Sequence, residues 1–297
     1  MAEPHLIDPR TLYKANEYPK QEQDTPALEE KMIPKPDCGE TSYKGSGKLL
    51  NRRVLITGGD SGIGRAAAIA YAREGADVAI QFFPGEEPDA EEVAELIKKT
   101  GRKVKLLPYD LREDEAATAI VSETVEAFGG LDTLVLNAAQ QISRPTLSER
   151  PMKQVEDTFK VNIISMFATV QAAEAYLPVG GAIVLSTSIQ ANDPSEDLMD
   201  YAATKAAIAN YTVSLSKYFA PKGIRVNAVA PGPIWTPLQL DGGQTQEVIQ
   251  KFGLDTPLKR AGQPAELAPV YVFLASNDAS YVTSQIYGVT GGGNINL

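Results

Sequence analysis

Three residues of this chain combine into an acid–base device: Ser188, Tyr201 and Lys205. In Tyr201-Ala-Ala-Thr-Lys205 an ammonium stands four residues beyond a phenol. On a helix this spacing puts both on one face, one turn apart. A free phenol has a pKa of ~10, about three units too high for a base at neutral pH, a cost of roughly 4 kcal/mol. A neighbouring cation is expected to lower it. Ser188, 13 residues before Tyr201, follows the apolar run Ala182–Thr187 and offers a hydroxyl to a substrate carbonyl. Spacing alone carries little weight: with 12 tyrosines in the chain, about one YxxxK pair arises by chance. Tyr218-Phe-Ala-Pro-Lys222 is such a decoy, since Pro221 and Gly223 mark a helix end and no hydroxyl stands in the matching place upstream. Ser186 competes with Ser188, but it lies two residues deeper in the strand, 15 before Tyr201.

The remaining composition excludes other chemistries. His5, the single histidine, stands in a polar tail, which removes Ser-His-Asp and Cys-His catalysis and most zinc enzymes. No metal site is expected. Cys38 stands alone and cannot form an internal disulfide, so a cytoplasmic location is expected. The formal charge of −10 repels nucleic acid. No apolar run approaches the ~20 residues of a membrane span, and MAEPHLIDPR lacks the apolar stretch of a secretory signal. Chemistry here must use hydroxyls, amines, carboxylates or a borrowed cofactor.

The elements that position these residues follow from periodicity. Residues 1–48 carry six prolines and no apolar repeat, and are expected to form an irregular arm. Two readings stand side by side: a disordered terminus, or an arm lying on a neighbouring subunit, anchored through Leu6, Tyr13, Tyr18 and Met32. From residue 49 to 297 one domain is expected. Apolar runs at Arg52–Thr57, Val78–Phe83, Lys103–Pro108, Leu131–Leu136, Ala182–Thr187, Ile224–Ala230 and Gln285–Val289 predict seven strands. Between them, Gly64–Glu74, Asp89–Thr100, Glu113–Phe128, Met152–Tyr176, Tyr201–Phe219 and Pro264–Ser276 have helical spacing. This alternation predicts an α/β doubly wound fold, a mostly parallel sheet with helices on both faces.

Thr57-Gly-Gly-Asp-Ser-Gly-Ile-Gly64 joins the first strand to the first helix. Glycines there let backbone N–H groups approach a pyrophosphate at the positive end of the helix dipole. The TGxxxGxG spacing, the Ser188/Tyr201/Lys205 set and the segments named below resemble the short-chain dehydrogenase/reductase family over about residues 50–297. The resemblance implies a Rossmann fold and a dinucleotide held by Gly58, Asp60, Ser61, Gly62, Ile63 and Gly64. It assigns Asp110 and Leu111 to the adenine, although Asp110 also reads as an ordinary helix N-cap. Asn137 and Ala138, in Leu136-Asn-Ala-Ala139, take the adenosine ribose. Pro231, Gly232, Ile234 and Thr236, in Pro231-Gly-Pro-Ile-Trp-Thr236, take the carboxamide end. Asn162 matches the family's catalytic asparagine, whose helix is bent and whose carbonyl holds a water linking Lys205 to solvent.

The residues that ordinarily choose between dinucleotides are absent. The second strand ends Ile80-Gln-Phe-Phe-Pro-Gly85, without the acid that selects NAD or the arginine that accommodates a 2′-phosphate. Ser61 stands where NADP-preferring relatives often carry a basic residue, Arg65 is a poorly placed alternative, and Glu86 and Glu87 follow soon after. Resemblance to bacterial aldehyde reductases favours NADP over NAD.

The expected activity is therefore hydride transfer between NAD(P) and a carbonyl or alcohol substrate, expected to be a small aldehyde, ketone or sugar. Ser188, Gln190, Tyr201 and Trp235 would face substrate, with Gln140, Gln141, Asp197 and Gln239 near enough to suggest a partly polar ligand. Pro237–Arg260 reads as a lid. The competing reading from another class is a dinucleotide-binding regulator or scaffold without turnover. The resemblance also implies a homotetramer packed through Met152–Tyr176 and Tyr201–Phe219, with Ala202, Ala203, Ala206 and Ala207 allowing close approach; a monomer with a small-residue stripe is the alternative. No nucleic-acid or membrane partner is expected.

Overall fold

The computed structural model describes residues 6–13 and 17–295, and His5 lies outside the described residues. The seven apolar runs form seven strands: β1 (Arg53–Thr57), β2 (Asp77–Phe82), β3 (Val104–Pro108), β4 (Thr133–Leu136), β5 (Ala182–Ser186), β6 (Arg225–Pro231) and β7 (Ile286–Val289). They pair in the order β3-β2-β1-β4-β5-β6-β7. Every pairing is parallel, where the sequence predicts mostly parallel. The helices are α1 (Gly62–Arg73), α2 (Glu87–Lys98), α3 (Ala116–Phe128), α4 (Met152–Phe159), α5 (Ser165–Ala173), α6 (Met199–Phe219), α7 (Gln246–Gln250) and α8 (Pro264–Ala275).

Alternation along each strand divides the core. Val54, Ile56, Val135 and Val184 join α1, α2 and α8 on one face. Leu55, Leu134, Leu136, Ile183 and Leu185 join α3, α5 and α6 on the other. Strands covered on both sides must read as continuous apolar runs, as these do. The strand order reverses between β1 and β4, and this reversal opens a crevice at the carboxyl ends of the strands.

Two helical expectations change. The long helix expected over Met152–Tyr176 is interrupted by a π turn at Lys160–Ile164 and ends at Ala173. At that turn Asn162 points inward and bonds the main chain of Gln140 on both sides, through Gln140 N–H (2.7 Å) and C=O (2.9 Å). A side chain that satisfies a neighbouring segment this way explains a local departure from α geometry. The first helix starts at Gly62, two residues earlier than periodicity indicates, because Gly62 and Gly64 flank Ile63 and interrupt the helical repeat there.

The described part of the arm packs on its own chain. Tyr18, Ala27, Leu28, Met32 and Cys38 are buried against their own chain, while Leu6 is exposed. Tyr18, Ala27 and Met32 form a third apolar cluster with Trp235, Leu240, Ile249, Phe252 and Ala261. The arm therefore covers the 237–260 segment, and its only helical element among the described residues is the short turn Glu29–Lys31.

Candidate active site

The crevice is a cleft of about 1320 Å³ along the carboxyl edge of the sheet. Its first wall is the turn after β1. Gly62 has φ +51°, and a Cβ on it would come within 2.9 Å of Thr236. A Cβ on Gly64 would sit 1.7 Å from the Gly58 carbonyl oxygen. Gly64 does not line the cleft, unlike Gly58, Asp60, Ser61, Gly62 and Ile63; its bare α-carbon lets α1 pass over Gly58. The Thr57 hydroxyl accepts the N–H groups of Asn137 (2.9 Å) and Ala138 (3.2 Å), and the Asn137 amide donates to Gly58 C=O (3.1 Å). Thr57 locks the β1 and β4 loops together.

At the far end, Asp60 and Glu86 both line the cleft. Burial raises the pKa of each above the carboxylate range, and their proximity raises that of Glu86 further. Asp60 Oδ2 is buried without a hydrogen-bond partner. Asp110 is not a helix N-cap, because Glu115 holds that place for α3. Its carboxylate pairs with the Arg112 guanidinium at 2.6 Å and takes Arg112 N–H at 2.9 Å, which lowers its pKa. Arg112 lies 5.3 Å over the Phe83 ring. Asp110, Leu111, Arg112 and Phe83 all line the cleft. Arg65 cannot reach it: the side chain is fully buried among Glu29, Glu40 and Glu92.

The candidate reactive set comes from the end of β5 and from α6. Ser188 leaves the strand in extended geometry, and its Oγ accepts Gln190 N–H at 3.2 Å. The Thr187 hydroxyl donates to Lys205 C=O (2.7 Å), which fixes the strand end against α6. The Lys205 ammonium donates to Ser186 C=O (2.9 Å) and lies 5.2 Å from the Tyr201 ring centroid. Ser188 and Tyr201 line the same cleft, and the nearby Ser188 hydroxyl works to lower the phenol's pKa. Burial outweighs it and pushes Tyr201 up to about 12. Burial also pushes Lys205 down to about 7. In so dry a site burial favours the neutral form of both groups.

Ser186, the competing serine, is committed elsewhere, bonded to Asn137 (3.1 Å) and the Tyr271 hydroxyl (2.6 Å). The decoy pair is a surface contact, with Lys222 Nζ 3.9 Å from the Tyr218 ring and both groups held by Glu174.

Other expected residues divide. Ala138, Pro231, Gly232, Ile234, Thr236, Gln140, Gln141, Gln190, Asp197 and Gln239 line the cleft. The side-chain oxygen of Gln190 accepts Ser195 N–H at 2.7 Å. Trp235 does not reach the cleft. It is fully buried, stacks on Tyr18 with ring centroids 3.9 Å apart, and donates its indole N–H to Pro34 C=O (2.8 Å). Successive residues of an extended segment face opposite ways, so Ile234 and Thr236 look inward and Trp235 looks out to the arm. Asn162 is also fully buried and serves as the clamp on Gln140 described above.

Sequence reasoning missed Thr57, Gln81 and the arm residues Thr25–Ala27. Gln81 accepts Gly58 N–H (3.1 Å) and donates to Tyr109 C=O (2.8 Å). A polar residue within an otherwise apolar strand was the available signal. The arm residues had none, since nothing local in Thr25-Pro-Ala27 distinguishes a roof from a loop.

A family model described as Enoyl-(Acyl carrier protein) reductase matches residues 58–294. The chain belongs to the short-chain dehydrogenase/reductase family. It is 57% identical over 288 residues to an uncharacterised oxidoreductase of Escherichia coli, YghA, covering 97% of this chain and 98% of that protein. It is 43% identical over 277 residues to NADPH-dependent aldehyde reductase 1, chloroplastic, of Arabidopsis thaliana, covering 91% and 96%. Among solved structures, a short-chain dehydrogenase of Burkholderia cenocepacia in complex with NADP matches with a TM-score of 0.77 and 30% identity, over 84% of this chain and all (100%) of that one. This member of the family is an NAD(P)-dependent oxidoreductase.

The residues present fit a dinucleotide. The cleft exceeds the roughly 300–1,000 Å³ of drug-sized pockets. Its glycine wall would be filled by any Cβ at Gly62, and the orphaned Asp60 oxygen awaits a donor such as a ribose hydroxyl.

Proposed function

We propose that the chain is an NADPH-dependent reductase of small, partly polar aldehydes, ketones or sugars, with Tyr201 as its general acid. The observation that carries this reading is the meeting of Ser188, Tyr201 and Lys205 on one wall of the glycine-lined cleft. Gly58, Asp60, Ser61, Ile63, Asn137 and Thr236 would hold the dinucleotide, whose nicotinamide supplies the hydride. Burial holds the Tyr201 phenol protonated at neutral pH, so the proton that the carbonyl oxygen takes is in place. The Ser188 hydroxyl steadies the charge growing on that oxygen. Lys205 lines the same cleft, with its Nζ bonded to Ser186 C=O. A π turn withdraws carbonyls from the regular α ladder, which suits the backbone at Asn162 to holding the water that returns a proton. Gln140, Gln141, Gln190 and Asp197 supply polar contacts for a hydroxylated substrate.

The test is direct. Purified protein is mixed with NADPH and a panel of aldehydes, ketones and sugars, and loss of NADPH absorbance is followed. Turnover is expected. Dinucleotide binding without turnover on a broad panel would overturn the reading in favour of a regulator.

The preference for NADPH carries its own pH dependence. Asp60 and Glu86 have raised pKa values, so they hold protons near neutrality and become charged as pH rises. Each new charge works against a 2′-phosphate, which NADH lacks. The ratio of the Kd for NADPH to that for NADH is therefore expected to increase about tenfold between roughly pH 6.5 and 9.5. Protein fluorescence titrations measure it, and a flat ratio would remove both carboxyls from the 2′-phosphate end.

The reading includes a cytoplasmic homotetramer with residues 1–48 as an arm on a catalytic domain of residues 49–297. Phe167 on α5 is half exposed and stacks on Tyr211 of α6 with ring centroids 3.7 Å apart, beside the exposed Ile164. An apolar face of this kind supports helix packing between subunits. Sedimentation giving a monomer would overturn that part.

A further inference from the structure

We propose that Glu29, in the N-terminal arm, is a positioning residue of the dinucleotide site. The proposal rests on the reading that the glycine turn holds the dinucleotide. Glu29 is fully buried, and its Oε2 accepts Gly62 N–H at 2.6 Å. The hydrogen-bond ladder of α1 opens with Arg65 N–H on Ser61 C=O (3.0 Å), so the N–H groups of Gly62, Ile63 and Gly64 precede it. These are the groups a helix N-terminus presents to an anion. Glu29 takes the first of them, which settles how the turn, and with it the next two, face the cleft.

The carboxylate is itself tightly set. Asp89 accepts Glu29 N–H (2.5 Å) and Glu30 N–H (3.2 Å), which fixes the backbone from which it reaches. Arg65 Nε lies 3.1 Å from Glu29 Oε1, offsetting a negative charge placed beside an anion site. The Cys38 thiol donates to the same oxygen at 3.4 Å. Gly62 is left-handed, with Thr236 in the space a side chain would need, so the turn is pinned by the cleft wall on one side and the arm on the other.

The arm continues from this pin into the cleft. Thr25, Pro26 and Ala27 line it directly. Pro26 covers Gly85, where a Cβ would come within 3.0 Å of the proline ring. Beyond, Tyr18 N–H bonds Gln250 C=O (3.1 Å) and Gln23 N–H bonds Leu240 C=O (3.2 Å), tying the same strap to the 237–260 segment. One stretch of chain outside the Rossmann core thus touches both the phosphate turn and the lid.

The experiment compares wild type with Glu29→Ala, Glu29→Gln and Glu29→Asp in the full-length protein. Three quantities are read: Kd for NADPH by fluorescence titration, kcat at saturating NADPH, and Tm without dinucleotide. Glu29→Ala is expected to raise the Kd about tenfold or more, as loss of a charge-assisted hydrogen bond implies. Its kcat at saturation should stay within about twofold, because no group touching substrate is removed. Glu29→Gln keeps an oxygen that accepts Gly62 N–H and should recover most of the affinity. Glu29→Asp keeps the charge but falls one methylene short, and should behave like alanine. Should Glu29→Ala not fold, the glutamine and aspartate variants decide. A lowered Tm with Kd unchanged in every variant would mean a purely structural role and would overturn the proposal. Wild type that binds neither NADPH nor NADH would overturn the dinucleotide reading, and this inference with it.

Discussion

Tyr201→Phe is expected to lower kcat for carbonyl reduction about 10³-fold, within the range for loss of a positioned general acid. The change removes one oxygen and leaves the ring, which is buried in the cleft wall, in place. Ser188 remains and can still donate to the substrate oxygen, but it has no second hydroxyl beside it to deliver a proton. The dinucleotide is held by the β1, β4 and β6 loops in the proposed reading, so Kd for NADPH should change by less than about threefold. Single-turnover kinetics alongside binding titrations separate the two effects. Retained turnover would rule out Tyr201 as the acid; a large loss of NADPH affinity would mean that the phenol shapes the cofactor site instead.

Lys205→Met tests the other half of the pair, and its outcome differs in kind. Turnover should fall about 10²–10³-fold, and NADPH should bind more weakly, because the side chain sits between Ser186 C=O and the cleft. Stability should respond in the opposite sense with pH. The lysine has a folded pKa of about 7 against an ordinary 10.5, lowered by burial. Between those values the unfolded chain binds the extra proton and the folded chain does not. Linkage then makes wild type more stable as pH rises from about 7 to 10.5, and that increment is lost as pH falls back through 7. Methionine fills similar volume and does not titrate, so the variant's stability curve should lack this rise. Urea midpoints at pH 7 and pH 10 measure it. A wild-type curve that is flat or falling over this window, relative to the variant, would mean that Lys205 keeps its charge in the folded protein.

The meeting of Ser188, Tyr201 and Lys205 at one cleft was legible in the sequence because its logic is local. A phenol and an ammonium on one helix face need only the helix, and a serine at a strand end needs only the strand. The decoy at Tyr218 was separable for the same reason, since Pro221 and Gly223 announce a helix end. The seven strands were legible because burial on both faces forces continuous apolar runs.

What the sequence obscured was side-chain direction and partnership. Trp235 stands between two cleft residues, and alternation turns it toward the arm, where Tyr18 and Pro34 receive it. Asp110 matched two motifs at once, and the later start of α3, with Glu115 at its N-cap, excluded the helix-cap alternative. The π turn at Asn162 depends on Gln140, 22 residues away in the chain, so no local propensity announces it.

The sequence by itself determined the strand–helix alternation, the glycine turn and the phenol–ammonium pair, because each follows from residue type and spacing within a few turns of backbone. Only the tertiary structure decided the protonation tendencies of Tyr201, Lys205, Asp60 and Glu86, since these depend on how much water the assembled fold removes. It alone turned the proline-rich arm into a strap over the cleft, because Glu29 and Gly62, 33 residues apart in the chain, meet only when α1 and the arm pack together.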